Sequence, residues 1–317
     1  VSKVRIIDPH LHLFDLQHGE YQWLKAENPP FWPDKHIISN TNSDEYLQKQ
    51  SSFELAAYVH IEAGFDNQSG EREIANIEAR ASRPHRSVGF IDITLDPEVF
   101  MIQLRTQAHH KSTIGVRHIF EDTEFPKKST VITLLENNNS FINLSLLAKH
   151  NGVFELQFDM NNPELVVQVF TFFQRIPNLQ LVLNHAGFAP TAYELPKTKD
   201  SDRLNSAFLD WKANIQLLAK LPRIAVKCSG FEMVARDYSE EHVQAVISHC
   251  IDAFGYENVM LASNFPLCEL SLSYEAYWLQ LFSVVESLTS NGNCLPEHKK
   301  ALYYDNAYRI YQFDRIS

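Results

Sequence analysis

Short apolar runs rich in β-branched residues recur along the whole chain, and each is followed by a stretch with apolar residues three or four apart. The runs predict strands over residues 4–7, 55–62, 88–95, 114–119, 153–158, 179–183, 224–227 and 259–262. The spacing predicts helices over 44–50, 71–81, 97–109, 141–150, 240–254 and 274–288, with another opening at Pro163. Phe208, Trp211, Ile215 and Leu218 mark one more helical stripe, preceded by a polar loop over 192–202, and a last helix is expected over 296–311. A charged loop follows the fourth strand. Eight strand and helix alternations in 317 residues predict an α/β fold, a (β/α)8 TIM barrel, with residues 1–317 forming one domain. The aromatic, proline-rich segment 13–43 is too long for an ordinary connection and reads either as a functional lid or as a packed surface arm.

A barrel makes a demand on chemistry, because its active site collects at the C-terminal ends of the strands. Those ends carry His10 and His12, His60 and Glu62, Asp92, Arg117 and His118, Glu155 and Gln157, His185, Lys227, and Asn264. Packing alone does not call for ionisable groups at nearly every strand end. Alternation places Asp8, His10 and His12 on one face, as it does His60 with Glu62, Glu155 with Gln157 and Asp159, and Lys227 with Ala225 and Ser229. Plainer roles compete. Glu62 and Arg117 could form a structural ion pair, and His185 could brace a tight turn. His109 and His110 read as surface residues, and His150 as a partner of a helix C-terminus.

Composition narrows the partner. A net charge of -11 disfavours nucleic acid, and no apolar run is long enough to span a membrane. Residues 1–5 lead straight into a strand without a secretory leader, so a cytoplasmic protein acting on a small molecule is expected; nothing indicates an oligomeric state. Cys228, Cys250, Cys268 and Cys294 are scattered, as reduced thiols are. Glycine-rich nucleotide-binding loops are absent.

Five segments together resemble a known family: Ile-Asp-Pro-His-Leu-His-Leu at 7–13, Asn-His-Ala-Gly at 184–187, Lys-Cys-Ser-Gly at 227–230, Ala-Ser-Asn-Phe-Pro at 262–266 and Asp-Asn-Ala-Tyr-Arg-Ile-Tyr at 305–311. The chain is similar to the amidohydrolase-related (amidohydrolase 2) group, and to its lactonase branch in particular. The resemblance implies a (β/α)8 barrel in which His10, His12 and His185 take the family's histidine roles and Arg117 and Gln157 contact substrate. It also implies an acidic residue after strand 8, where this chain has Asn264. An amide neither takes a proton at neutral pH nor binds a metal as a carboxylate does.

The expected activity is hydrolysis of a small lactone, from a sugar acid or from aromatic degradation, by an enzyme acting on a carboxylic ester. His10, His12, His185 and Asn264 would be catalytic, and Glu62, Arg117, Gln157 and Lys227 would bind substrate. The alternatives are a non-oxidative decarboxylase on the same barrel and a non-catalytic small-molecule-binding protein. No cofactor is expected to be required, the other possibility being one divalent metal, zinc, on His10, His12 and His185.

Overall fold

Valine, isoleucine and leucine dominate the predicted runs, and these form eight parallel strands: β1 (Arg5–Leu11), β2 (Glu54–Ile61), β3 (His85–Phe90), β4 (Thr113–Arg117), β5 (Val153–Leu156), β6 (Gln180–Leu183), β7 (Ile224–Cys228) and β8 (Val259–Leu261). They pair in sequence order. Ends meet where Leu11 bridges Phe265, with His12 N donating to the Phe265 carbonyl at 2.7 Å and Asn264 N to the His10 carbonyl at 2.9 Å. The sheet is thereby drawn into a nearly closed (β/α)8 barrel. This computed structural model describes residues 3–66, 68–120, 131–191, 199–292 and 294–315, with 199–205 described by backbone alone. The expected charged loop at 121–130 and residues 192–198 of the expected polar loop lie outside the described residues.

Helices follow the strands: α1 (Asp44–Lys49), α2 (Glu71–Arg80), α3 (Pro97–Ala108), α4 (Val131–Glu136), α5 (Asn138–Lys149), α6 (Pro163–Phe173), α7 (Lys199–Leu218), α8 (Phe231–Val234), α9 (Glu240–Phe254), α10 (Tyr274–Ser290) and α11 (Asn306–Ile310). Their starts are chemically marked. Ser43, Asp96, Asn137, Asn162, Ser239 and Ser273 each accept from a first-turn amide, satisfying a donor with no partner inside the helix. α7 has already begun at Lys199, so the polar loop is shorter than expected. β3 stops at Phe90, short of the expected Leu95, because Asp92 turns the chain by accepting from Thr94 N at 2.8 Å while Ile91 and Ile93 stay in the core.

Outward-facing strand residues such as Ile6, Leu55 and Val226 pack under the helices. Inward-facing Ile7, Val59, Val88, Val182 and Met260 fill the lower barrel with Ala307, Ile310, Tyr311 and Phe313 from the chain's end. The single helix expected over 296–311 is not one helix. It divides into a 3-10 turn (Pro296–His298), a wide π turn (Ala301–Asp305) and α11. Asn306 then donates to the Tyr256 and Val259 carbonyls at 2.7 and 2.8 Å, which seats the final residues as a plug. The segment 13–43 packs as an arm. Phe14, Tyr21, Leu24 and Ile38 join Phe65, Leu267 and Leu270 in a small cluster of their own, and Arg236 clamps the arm through Asp34 at 2.7 Å and the Trp32 ring at 5.0 Å.

Candidate active site

β1 follows strand alternation only as far as Asp8. Ile6 faces the helices and Ile7 the barrel interior, and then the β1–β2 register slips between Asp8 and Leu11. Asp8 therefore points outward, accepting from Ser263 N and Tyr274 Oη at 3.1 Å each, which ties β1 to α10. Its expected place beside the histidines is corrected. Past the slip, His10 and His12 turn into the mouth, with ring centroids 5.1 Å apart, and His185 lies 4.6 Å from His10.

His60 is a second correction. It faces outward, with Nε2 2.9 Å from Glu73 of α2 and Nδ1 accepting from Leu13 N at 3.2 Å. Glu62 lies beyond the strand end and turns the other way, to Arg117, so the two do not share a face. Asp159 is also away from the mouth, exposed and accepting from Asn161 N. Asp92 and His118 approach to 3.6 Å, joining the segments after β3 and β4.

Cations in the mouth arrive already paired. Arg117 Nε donates to Glu62 Oε1 at 2.7 Å and Nη1 to Gln157 Oε1 at 3.0 Å, realising the ion pair considered from sequence. Lys227, wholly buried, donates to Glu155 Oε2 at 2.7 Å and to His10 Nδ1 at 3.3 Å. Tyr311 completes the cluster from below by donating to Glu155 Oε1 at 2.5 Å. Burial lowers the Lys227 ammonium to about 8, with the Glu155 carboxylate opposing that shift. Lys227 thus touches a histidine and a carboxylate at the floor of the mouth.

These contacts set the proton on each ring. An ammonium only donates, so His10 Nδ1 accepts and its proton sits on Nε2, which is buried with no partner. A carbonyl only accepts, so His12 Nδ1 donates to Ile61 O at 2.7 Å and leaves a lone pair on Nε2. Burial holds all three rings well below their usual value of 6.5, assisted by Lys227 at His10 and by Arg117 at His12 and His185. They are neutral. His185 Nδ1 lies 2.9 Å from Ser229 Oγ, and its backbone is left-handed at φ 54°. Gly230 makes that fit possible, since a Cβ there would stand 2.6 Å from the His185 ring.

Asn264, also left-handed at φ 60°, stands beside His12 with its backbone N donating to the His10 carbonyl at 2.9 Å, and its side chain favours the protonated form of the His12 ring. Its Nδ2 donates to Glu232 Oε1 at 2.6 Å. The amide nitrogen is committed to Glu232, which leaves Oδ1 on the His12 side. Sequence reasoning missed Glu232: as a glutamate in the first turn of a short helix, it looks like any solvated residue. It also passed over Tyr311 as a site residue, since nothing local shows that the last turn of the chain reaches β5.

Three neutral imidazoles invite a zinc ion, but the donor set does not fit one. Lys227 places the His10 proton on the nitrogen that would ligate, and the strand-8 position offers an amide. Among the described residues, no three His, Cys, Asp or Glu side chains are grouped so that they could hold a metal.

A barrel with histidines at the ends of strands 1 and 6 now has its counterpart in known proteins. The amidohydrolase family model matches residues 7–313. The chain belongs to the amidohydrolase family. Among curated amidohydrolase relatives, an L-fucono-1,5-lactonase of Burkholderia multivorans is 29% identical over 96% of this chain and 95% of its own. An L-rhamnono-gamma-lactonase of Scheffersomyces stipitis is 23% identical over 98% and 99%. A crystal structure of a Burkholderia multivorans amidohydrolase superposes with a TM-score of 0.76 at 21% identity, covering 98% of this chain and 99% of that one. A second crystal form of that protein, with a TM-score of 0.72, contains bound zinc.

Proposed function

We propose that this amidohydrolase opens the ring of a small lactone, of the sugar-acid class that the two lactonase relatives are named for. The observation that carries the reading is a pair of neighbouring neutral imidazoles with opposite tautomers. His10 offers an N–H and His12 offers a lone pair, with their rings 5.1 Å apart. Ester hydrolysis needs both at once: a donor for the developing oxyanion and an acceptor for the proton of the attacking water.

The water oxygen attacks the lactone carbonyl carbon while its proton passes to His12 Nε2. The carbonyl oxygen becomes an oxyanion facing His10 Nε2–H. Collapse breaks the ring C–O bond, the leaving alkoxide takes the proton back from His12, and the hydroxy acid ionises in solvent. His185 shapes the carbonyl side of the pocket, and Arg117, aimed by Glu62 and Gln157, meets the substrate's hydroxyl oxygens. Lys227 acts on His10 rather than on substrate. The tautomer it imposes supports hydrolysis without a resident metal.

Proton release in dilute buffer, with L-fucono-1,5-lactone and L-rhamnono-gamma-lactone heading the panel, tests the activity. Turnover that survives chelation and falls in His10→Ala and His12→Ala is the expected result. Failure to hydrolyse any lactone above the buffer rate overturns it.

A further inference from the structure

Among the buried carboxylates of the described residues, three in and around the barrel are saturated. Asp8, Glu73 and Glu155 have both oxygens hydrogen-bonded. Glu232 is different. It has no exposed surface, one oxygen accepts from Asn264 Nδ2 at 2.6 Å, and Oε2 has no partner. Burial raises the Glu232 carboxyl to about 7, so it carries its charge above that pH; Arg236 binds its backbone carbonyl, and Tyr238, Tyr277 and Cys268 are the other titratable groups facing it, all kept neutral by burial. A bare carboxylate oxygen in such surroundings is destabilising unless it has work to do. The residue it does touch stands where the family resemblance calls for an acid.

We propose that Glu232 is a positioning residue for proton transfer: its negative charge, delivered through the Asn264 amide, stabilises His12 as that ring takes the proton from water. Glu232 fixes the amide by accepting from Nδ2, so Oδ1 is held towards the His12 ring. The imidazolium formed during attack then has an acceptor at each nitrogen, Ile61 O and Asn264 Oδ1, with a carboxylate behind the second. The function of one strand-8 carboxylate is divided between two residues, one presenting an oxygen and one carrying the charge. This rests on the lactonase reading for the identity of the proton donor, and on the Glu232–Asn264 contact for the coupling.

Moving the charge tests it. Glu232→Gln keeps the shape and in mildly alkaline buffer should lower kcat on the order of a hundredfold with KM unchanged, while thermal stability holds or rises. The exchange variant Glu232→Gln with Asn264→Asp returns a carboxylate to strand 8 and should recover most of the lost rate. A structural glutamate would not be rescued by an acid at another position. Wild-type kcat in Glu232→Gln, or an exchange variant no faster than the single one, overturns the proposal. A substrate-free measurement separates it from the lactonase reading. In mildly alkaline buffer, the infrared difference between wild type and Glu232→Gln should contain an ionised carboxylate band that shifts in Asn264→Ala. A protonated carboxyl band there, or no shift, overturns the coupling whatever lactone is or is not turned over.

Discussion

His12 and His60 end adjacent strands, are both buried and lie with ring centroids 6.4 Å apart, yet they stand on opposite faces of the sheet. His60 is spent. Its Nδ1 receives the Leu13 amide and its Nε2 faces Glu73, which in turn accepts from the Ala63 and Phe65 amides, so the ring holds the ends of β1 and β2 together. His12 has one nitrogen anchored to a backbone carbonyl and the other left with a lone pair on the mouth side. Residue type and depth of burial do not separate a structural histidine from a chemical one. What separates them is whether the second nitrogen has been consumed by the fold.

Substitution of the two rings should break the comparison open. His12→Ala is expected to lower kcat on the lactone substrate about a hundredfold to ten-thousandfold with little change in thermal midpoint. His60→Ala should do the reverse: kcat per folded molecule stays near wild type, while chemical denaturation shows a loss of about 3 kcal/mol from unpaired buried polar groups and the cavity. Equal losses of activity in both would erase the distinction.

A smaller effect is expected below the histidines. Tyr311→Phe removes the hydroxyl from Glu155 and should cost about 2 kcal/mol in urea unfolding, as a hydrogen bond to a charged group does. Because Glu155 holds Lys227 and Lys227 sets the His10 tautomer, a several-fold fall in kcat should accompany it. Unchanged kcat would show that Lys227 holds His10 without help from below.

The narrowest expected effect is on pH dependence, confined to the acid range. Burial lowers His60 to about 3, so the unfolded chain takes up a proton near 6.5 that the folded ring refuses. Its contribution is complete above 6.5 and is lost as the pH falls towards about 3. Glu73, raised to about 7 by burial, runs the opposite way: its contribution is complete below 4.5 and is lost as pH rises through about 7. His10, His12 and His185 act in the same direction as His60. Across the acid range, His60→Gln should therefore flatten the fall of unfolding free energy by about 1.4 kcal/mol per pH unit. An unaltered slope would mean that His60 is charged in the folded protein.

The barrel, its strand order and the ring of strand-end residues are legible in the chain because they rest on local rules. β-branched runs make strands, periodic runs make helices, and alternating elements of these lengths close into a barrel. His10, His12, His185, Arg117, Gln157 and Asn264 could be found this way, since each follows directly on a strand. The facing of Asp8 and His60 could not. Alternation does not carry through a register slip in the first case or past the end of β2, where Glu62 lies, in the second, and a slip depends on the neighbouring strand. Glu232 and Tyr311 were invisible because their partners lie 32 and 156 residues away in the sequence.

The sequence by itself determined the fold and the place of the candidate site, through rules that act within a few residues. Only the tertiary structure decided the chemistry of each group there. Whether an imidazole donates or accepts, and whether an amide has a carboxylate behind it, depends on which atoms the closed barrel brings within hydrogen-bonding distance. For His10 those atoms come from β7, for His12 from β2, and for Asn264 from α8.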